Sequence, residues 1–340
     1  MPTIVATKNF MMALFQQSLS EPYSDVLSFL RKDIFGVDLF CDFSSVSELK
    51  TAMEQNPIWE ILLDTNNNIK FVKDIQELIL HDDFYSNCSE QNLFFVDLSA
   101  SKCEQLQEER GFVYISPNNI SQAWIPIMNI RNRGTLKVTT STNVPNDHKF
   151  DTWNKLDEFK LPLTSIIIFD KYILGDKTNQ RLKDNLFILL EKHCKNKLKK
   201  PLTLTIISEF DTDVDLVNAY NKIEAFLQSK SISNVRINII KHEKAIYPSN
   251  FEGLHYRLFL TNLIRIKSDD SFNFFKSSGK VNNDVDIHLT FNISNPYRYF
   301  FEKELSDIKL YTSRVTNLTD PIFAGKSLRY YKDKINNLLQ

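Results

Sequence analysis

Residues 164–240 contain three apolar runs: TSIIIF (Thr164–Phe169), LTLTII (Leu202–Ile207) and VRINII (Val235–Ile240). Each is short and rich in β-branched residues, the composition of a strand buried on both faces. Between them, Arg181–Cys194 and Val214–Ser229 space their apolar residues at three and four, the period of a helix. Strand alternating with helix predicts a largely parallel sheet, so this half reads as α/β. Further on, Leu258–Ile266 predicts a fourth strand. Asp284–Ile293 (DVDIHLTFNI) alternates like a strand open on one face, and Leu328–Leu339 predicts a closing helix.

The first half repeats the rhythm. Helical spacing covers residues 8–19, 24–31, Val46–Glu54 and Ser101–Arg110, and strand-like runs fall at Val37–Phe40, Ile69–Val72, Leu93–Val96 and Phe112–Ile115. Gly111 follows the last helix, where a chain end needs a residue able to take positive φ. Residues 116–160 break the pattern with Pro117, Pro126, Gly134 and Pro145. Thr135–Ser141 is the one strand-like run there. The expected architecture is therefore two α/β domains, each a mainly parallel or mixed sheet flanked by helices. They span residues 1–130 and 161–340, with 131–160 as linker.

Bulk properties exclude several classes. A chain of 340 residues with 42% hydrophobic and 24% charged residues can bury a core without a disulfide or metal staple. Seven glycines against 26 phenylalanines argue against a Gly-rich nucleotide loop. A net charge of −1 provides no global field for nucleic acid, so such a partner needs a local basic patch. Cys41, Cys88, Cys103 and Cys194 form no C-x-x-C pair, and no apolar run approaches the ~20 residues of a membrane span. A cytoplasmic location is expected, with no cofactor and no metal.

The chemistry-bearing stretch is GLHYRLFLTN, Gly253–Asn262, which sets His255, Arg257 and Asn262 at the spacing H-x-R-x4-N. On a strand, His255 and Arg257 share a face. An imidazole beside a guanidinium suits a phosphate, since one can attack or donate a proton and the other offers a bidentate fork. Arg265 and Lys267 continue the same parity along an unbroken strand and would extend a basic strip.

These residues resemble the phospholipase D superfamily, whose signature is H-x-K-x4-D. They are closer to a divergent branch found C-terminal to MIT domains, in which H-x-R-x4-N also occurs. The flanks agree: an acidic-aromatic step at Phe169-Asp170-Lys171-Tyr172-Ile173, and a polar loop with a Phe-rich helix start at Ser268–Phe275. The resemblance covers roughly residues 160–300 and implies a phospholipase D-like second domain. Asp170 would support the motif; the ordinary alternative makes Arg257 a structural ion-pair partner of Asp170.

Catalytic members of that superfamily use two motifs, one His as nucleophile and the other as general acid. Here there is one. Leu289-Thr290 follow His288 where the motif needs a Lys, and His242-Glu243-Lys244 lies in a turn-like stretch. Arg for Lys keeps the cation but changes its reach, and Asn for Asp removes the charge that would tune a neighbouring His. Both changes favour a non-catalytic protein binding nucleic acid or another phosphate-bearing ligand. By analogy its setting is a nucleic-acid-processing or bacterial antiviral defence assembly with other protein subunits. Two alternatives stand beside it. One is a homodimeric phosphodiesterase or nuclease with His255 as nucleophile, and the other is an adaptor binding a protein or a membrane.

Two weaker signals complete the reading. The run Lys192, Lys195, Lys197, Lys199, Lys200 is either a phosphate-binding patch or a solvated helix end. Asp38, Asp42, Asp64, Asp82, Asp83 and Asp97 lie near expected strand ends, where carboxylates either cap helices or hold Mg²⁺. Leu93–Ile115 loosely resembles the strand–helix–strand of PIN-type nucleases. That family's first strand carries an Asp, whereas Ile4–Phe10 offers Lys8 and Asn9.

Overall fold

The computed structural model describes residues 1–64, 67–174, 180–194, 197–209, 213–242, 257–295, 297–315, 322–323, 326–327 and 336–339. Strands β1 (Thr3–Ala6), β2 (Asp38–Cys41) and β3 (Asn68–Phe71) alternate with helices α1 (Lys8–Gln16), α2 (Tyr23–Lys32), α3 (Val46–Gln55) and α4 (Ile58–Asp64). The short α5 (Ile75–Leu78) precedes β4 (Asn92–Phe95), α6 (Ala100–Arg110) and β5 (Val113–Ile115). All five strands pair in parallel, in the order β3-β2-β1-β4-β5. Local chemistry sets the helix starts. Thr7 Oγ1 accepts from Phe10 N at 3.4 Å and Ser45 Oγ from Glu48 N at 3.3 Å, each satisfying an orphan donor of a first turn.

Helix α7 (Ile120–Arg133) leads to β6 (Thr135–Val138). Then come β7 (Ser165–Asp170), α8 (Phe187–His193), β8 (Leu202–Ser208), α9 (Asp213–Ser229) and β9 (Val235–Lys241). Strands β10 (Arg257–Thr261), β11 (Ile264–Ser268) and β12 (Val285–Phe291) precede the long α10 (Tyr297–Val315). The second sheet has seven strands in the order β6-β12-β11-β10-β7-β8-β9. Strands β7, β8 and β9 are mutually parallel and every other pairing is antiparallel. The α/β class read from the sequence is the observed one.

The largest apolar core runs from the first sheet to the second. Phe29 of α2 packs against Trp124 of α7 at 5.1 Å and against Phe291 of β12 at 5.9 Å. The Nε1 of Trp124 donates to Asp25 at 2.6 Å, and Arg131 reaches Asp25 at 3.0 Å and Asp33 at 2.7 Å. Gly111 sits at φ 72°. A Cβ there would lie 2.5 Å from the Leu163 carbonyl oxygen, so the end of α6 meets the segment before β7 where no side chain intervenes.

Several sequence expectations change. Pro126, read as a breaker, lies inside α7. The lost backbone bond costs about 3 kcal/mol. Burying Trp124, Ile127 and Ile130 outweighs it, at roughly 1.5–3 kcal/mol each. Leu258–Ile266 is two strands joined by a tight turn, in which Thr261 Oγ1 accepts from Ile264 N at 2.8 Å and Leu263 N at 3.2 Å. The expected helix start at 268–275 is an irregular loop whose Phe272, Phe274 and Phe275 are buried beside Phe150 and Trp153. Helix α10 is a long element the sequence reading missed. Most of the expected closing helix 328–339 lies outside the described residues, and Asn337–Leu339 form a 3-10 turn. Within 131–160, read as linker, β6 joins the second sheet and Trp153–Phe159 form a 3-10 helix.

Two stability outcomes follow from this packing. Gly111→Ala should cost at least about 2 kcal/mol in urea unfolding, through both φ and the Leu163 clash. His193 of α8 is buried against Phe259, its ring nitrogens have no hydrogen-bond partner among the described residues, and burial pushes its pKa down to about 4. The unfolded chain therefore takes up a proton near pH 6.5 that the folded chain refuses until about 4. Above pH 6.5 both states are neutral. Stability should fall as pH drops through that window, by up to about 3 kcal/mol, and His193→Leu should flatten the dependence in melts between pH 7.5 and 4.5.

Candidate functional site

In open α/β sheets, ligands sit beyond the carboxyl ends of the parallel strands. In the second sheet that edge is formed by the ends of β7, β8 and β9 and by the start of the antiparallel β10. Asp170 ends β7 and pairs in register with Arg257, which begins β10. The Asp170 carboxylate is fully buried and accepts from Ser271 Oγ at 2.7 Å, Phe272 N at 2.7 Å and Tyr172 N at 3.0 Å. Burial raises its pKa, against the opposing pull of these bonds and of Arg257. The half-buried Arg257 donates to the Asp269 carbonyl, and its guanidinium lies 3.7 Å from the Asp270 carboxylate. Together the pair anchors the loop that follows β11.

Of the motif residues, His255 lies outside the described residues. Asn262 does not reach the Arg257 edge, because it follows the opposite end of β10. Its Oδ1 accepts from Thr164 N at 3.1 Å and its Nδ2 donates to the Gly111 carbonyl at 3.3 Å, with no exposure to solvent. Asn262 is a bracket between the sheets rather than a phosphate ligand. Arg265 is also buried, in a bidentate pair with Glu304 of α10 at 2.6 and 2.5 Å. Lys267 is exposed, on the face that carries Arg265.

The expected continuous basic strip is corrected by the β10–β11 turn. Leu258 pairs with Lys267 and Leu260 with Arg265. Odd positions of β11 therefore share a face with even positions of β10, and Arg265 and Lys267 point away from the Arg257 side.

The sequence reading passed over a neighbouring cluster on the same edge. Lys171, Glu209 and His242 each directly follow one of the parallel strands. Lys171 Nζ is 3.2 Å and His242 Nδ1 3.4 Å from the same oxygen, Glu209 Oε1. The hydrogen bond to Glu209 raises the Lys171 pKa, whereas burial lowers that of His242 against the pull of the carboxylate. The available signal was positional: a polar residue just after each buried apolar run.

At the first sheet's carboxyl edge, between β1 and β4, Asn9 Nδ2 donates to Asp97 Oδ2 at 3.0 Å and Lys8 pairs with Glu48. Asp42 accepts from Ile75 N at 3.3 Å. Asp38 opens β2 and so lies at the opposite edge, bonded to Lys70 at 2.9 Å. Asp82 pairs with Arg110, Asp83 sits in a 3-10 turn, and Asp64 ends α4. Among the described residues, no three His, Cys, Asp or Glu side chains gather as a metal site would require.

Lysines of the basic run face acids: Lys192 to Asp157 at 2.7 Å, Lys197 to Glu108 at 2.6 Å and Lys199 to Glu109 at 2.9 Å. Lys195 lies outside the described residues, and His288 Nδ1 meets Thr135 Oγ1 at 3.1 Å. The four thiols are free, and burial raises their pKa values, to about 11 for Cys103 and about 12 for the others. No described helix is long and apolar enough to cross a membrane. No family model and no curated protein matches the chain.

The buried pair Arg265–Glu304 sets a measurable expectation. Arg265→Ala should cost about 3–5 kcal/mol by leaving Glu304 buried and unpaired. The double change Arg265→Met with Glu304→Leu should recover most of that loss in denaturant titrations. Equal losses in both variants would show that the guanidinium holds α10 by packing rather than by charge.

Proposed function

We propose that this chain is a non-catalytic protein that binds nucleic acid or a related phosphate-bearing ligand at the carboxyl edge of its second sheet. The observation that carries this reading is the dispersal of the motif. Arg257 alone among its described residues reaches the edge, while Asn262 is bonded into the frame between the sheets. A nucleophile would need its charge-tuning partners gathered around it, whereas a binding guanidinium needs only a fixed position and spare donors. Arg257 has five N–H groups, and its contacts to Asp269 and Asp270 leave others to meet a phosphate.

The mixed sheet with parallel β7–β9 and the register of Asp170 with Arg257 support a degenerate phospholipase D-like second half. The free thiols support a reducing, cytoplasmic setting.

Fluorescence anisotropy with labelled single- and double-stranded DNA and RNA tests the reading. The wild type should bind without cleaving, with affinity falling as salt rises, and Arg257→Ala should weaken binding about tenfold. Cleavage abolished by His255→Ala would instead make the chain a phosphodiesterase. Salt-insensitive binding to a protein alone would make it an adaptor.

A further inference from the structure

The three side chains that follow β7, β8 and β9 form an arrangement of their own. A single carboxylate oxygen, Glu209 Oε1, lies between an ammonium at 3.2 Å and an imidazole nitrogen at 3.4 Å. The carboxylate is the most open of the three: the Glu209 side chain is 41% exposed, Lys171 27% and His242 5%. An exposed acid thus covers a half-buried and a buried nitrogen base, at the sheet edge where such folds receive ligands.

The main chain that carries the two bases is fixed without the Glu209 carboxylate. Glu209 N donates to the Lys171 carbonyl at 2.9 Å, and His242 N to the Ser208 carbonyl at 2.8 Å. Ser208 Oγ donates to the same Lys171 carbonyl at 3.1 Å and accepts from Leu174 N at 3.1 Å. The His242 ring packs on Phe169 at 5.7 Å between centroids. Removing the Glu209 charge should therefore leave the main chain and the His242 ring in place and free the Lys171 ammonium for another anion.

We propose that Lys171 and His242 are a phosphate seat, and that Glu209 occupies it as an internal stand-in anion. A phosphate offers several oxygens and can meet both nitrogens through separate ones, where the Glu209 carboxylate meets both through Oε1 alone. Displacing Glu209 costs an ion pair that is partly open to water and therefore weak. Arg257 begins β10, the neighbour of β7, at the same edge of the sheet. This inference rests on the reading of the same edge as phosphate-binding, and it names where the phosphate sits.

Phosphorus NMR titration with inorganic phosphate, and anisotropy with a labelled oligothymidylate, test the seat on the full chain. Glu209→Gln and Glu209→Ala remove the stand-in and should tighten phosphate binding by about tenfold or more. Adding Lys171→Gln to Glu209→Gln should abolish the gain. Both single variants melting cooperatively but binding no better than wild type would overturn the seat. So would loss of cooperative melting in both, because the main chain there is fixed without the Glu209 carboxylate.

The two readings separate cleanly. Oligonucleotide binding that depends on Arg257 but ignores Glu209→Gln leaves the binding protein standing and removes the seat. Tighter inorganic phosphate without any oligonucleotide binding keeps the seat, and makes a small phosphate compound its ligand.

Discussion

The close approach of Gly111 to Leu163 and Thr164 is the contact on which the arrangement of the two sheets depends. Gly111 ends α6 at positive φ and leaves no room for a Cβ against the Leu163 carbonyl. Asn262 then closes the junction from the far end of β10, taking one hydrogen bond from Thr164 N and giving one to the Gly111 carbonyl. A buried amide with both ends satisfied is stabilising, and the same amide with either partner displaced is costly. Three segments distant in sequence are thereby fixed to one another within a few ångströms.

With that junction set, α7 can lie between the sheets and complete a continuous core. Its Trp124 and Arg131 converge on Asp25, while Ile127 and Ile130 are buried. The internal proline is tolerated because packing on several sides outweighs one missing backbone bond. On the outer face of the second sheet, α10 is held by Phe301, Ile308 and Tyr311 and by the buried pair of Glu304 with Arg265. The two arginines of the motif region therefore do different work. Arg265 holds a helix, and Arg257 orders a loop at the carboxyl edge of the parallel strands.

That edge is electrically mixed rather than basic. Arg257 sits among Asp170, Asp269 and Asp270, and Lys171 and His242 share Glu209. Internal acids balance each cation, in keeping with the net charge of −1. Any phosphate must compete with those acids, which favours a site of modest affinity in which geometry selects the ligand.

The sequence by itself determined the α/β class and most strand and helix positions, because period and β-branching are local properties of the chain. It also marked Gly111, since the end of a helix demands one conformation. Tertiary structure decided everything that depends on distant partners. It carried α7 through Pro126 by burial, and turned Leu258–Ile266 into a hairpin through the side chain of Thr261. That turn reversed the face of Arg265 and Lys267, and the packing of the two sheets made Asn262 a bracket instead of a ligand. A motif spacing records distance along one strand, whereas the meeting of Lys171, Glu209 and His242 depends on the order in which separate strands pair. No local pattern encodes that order.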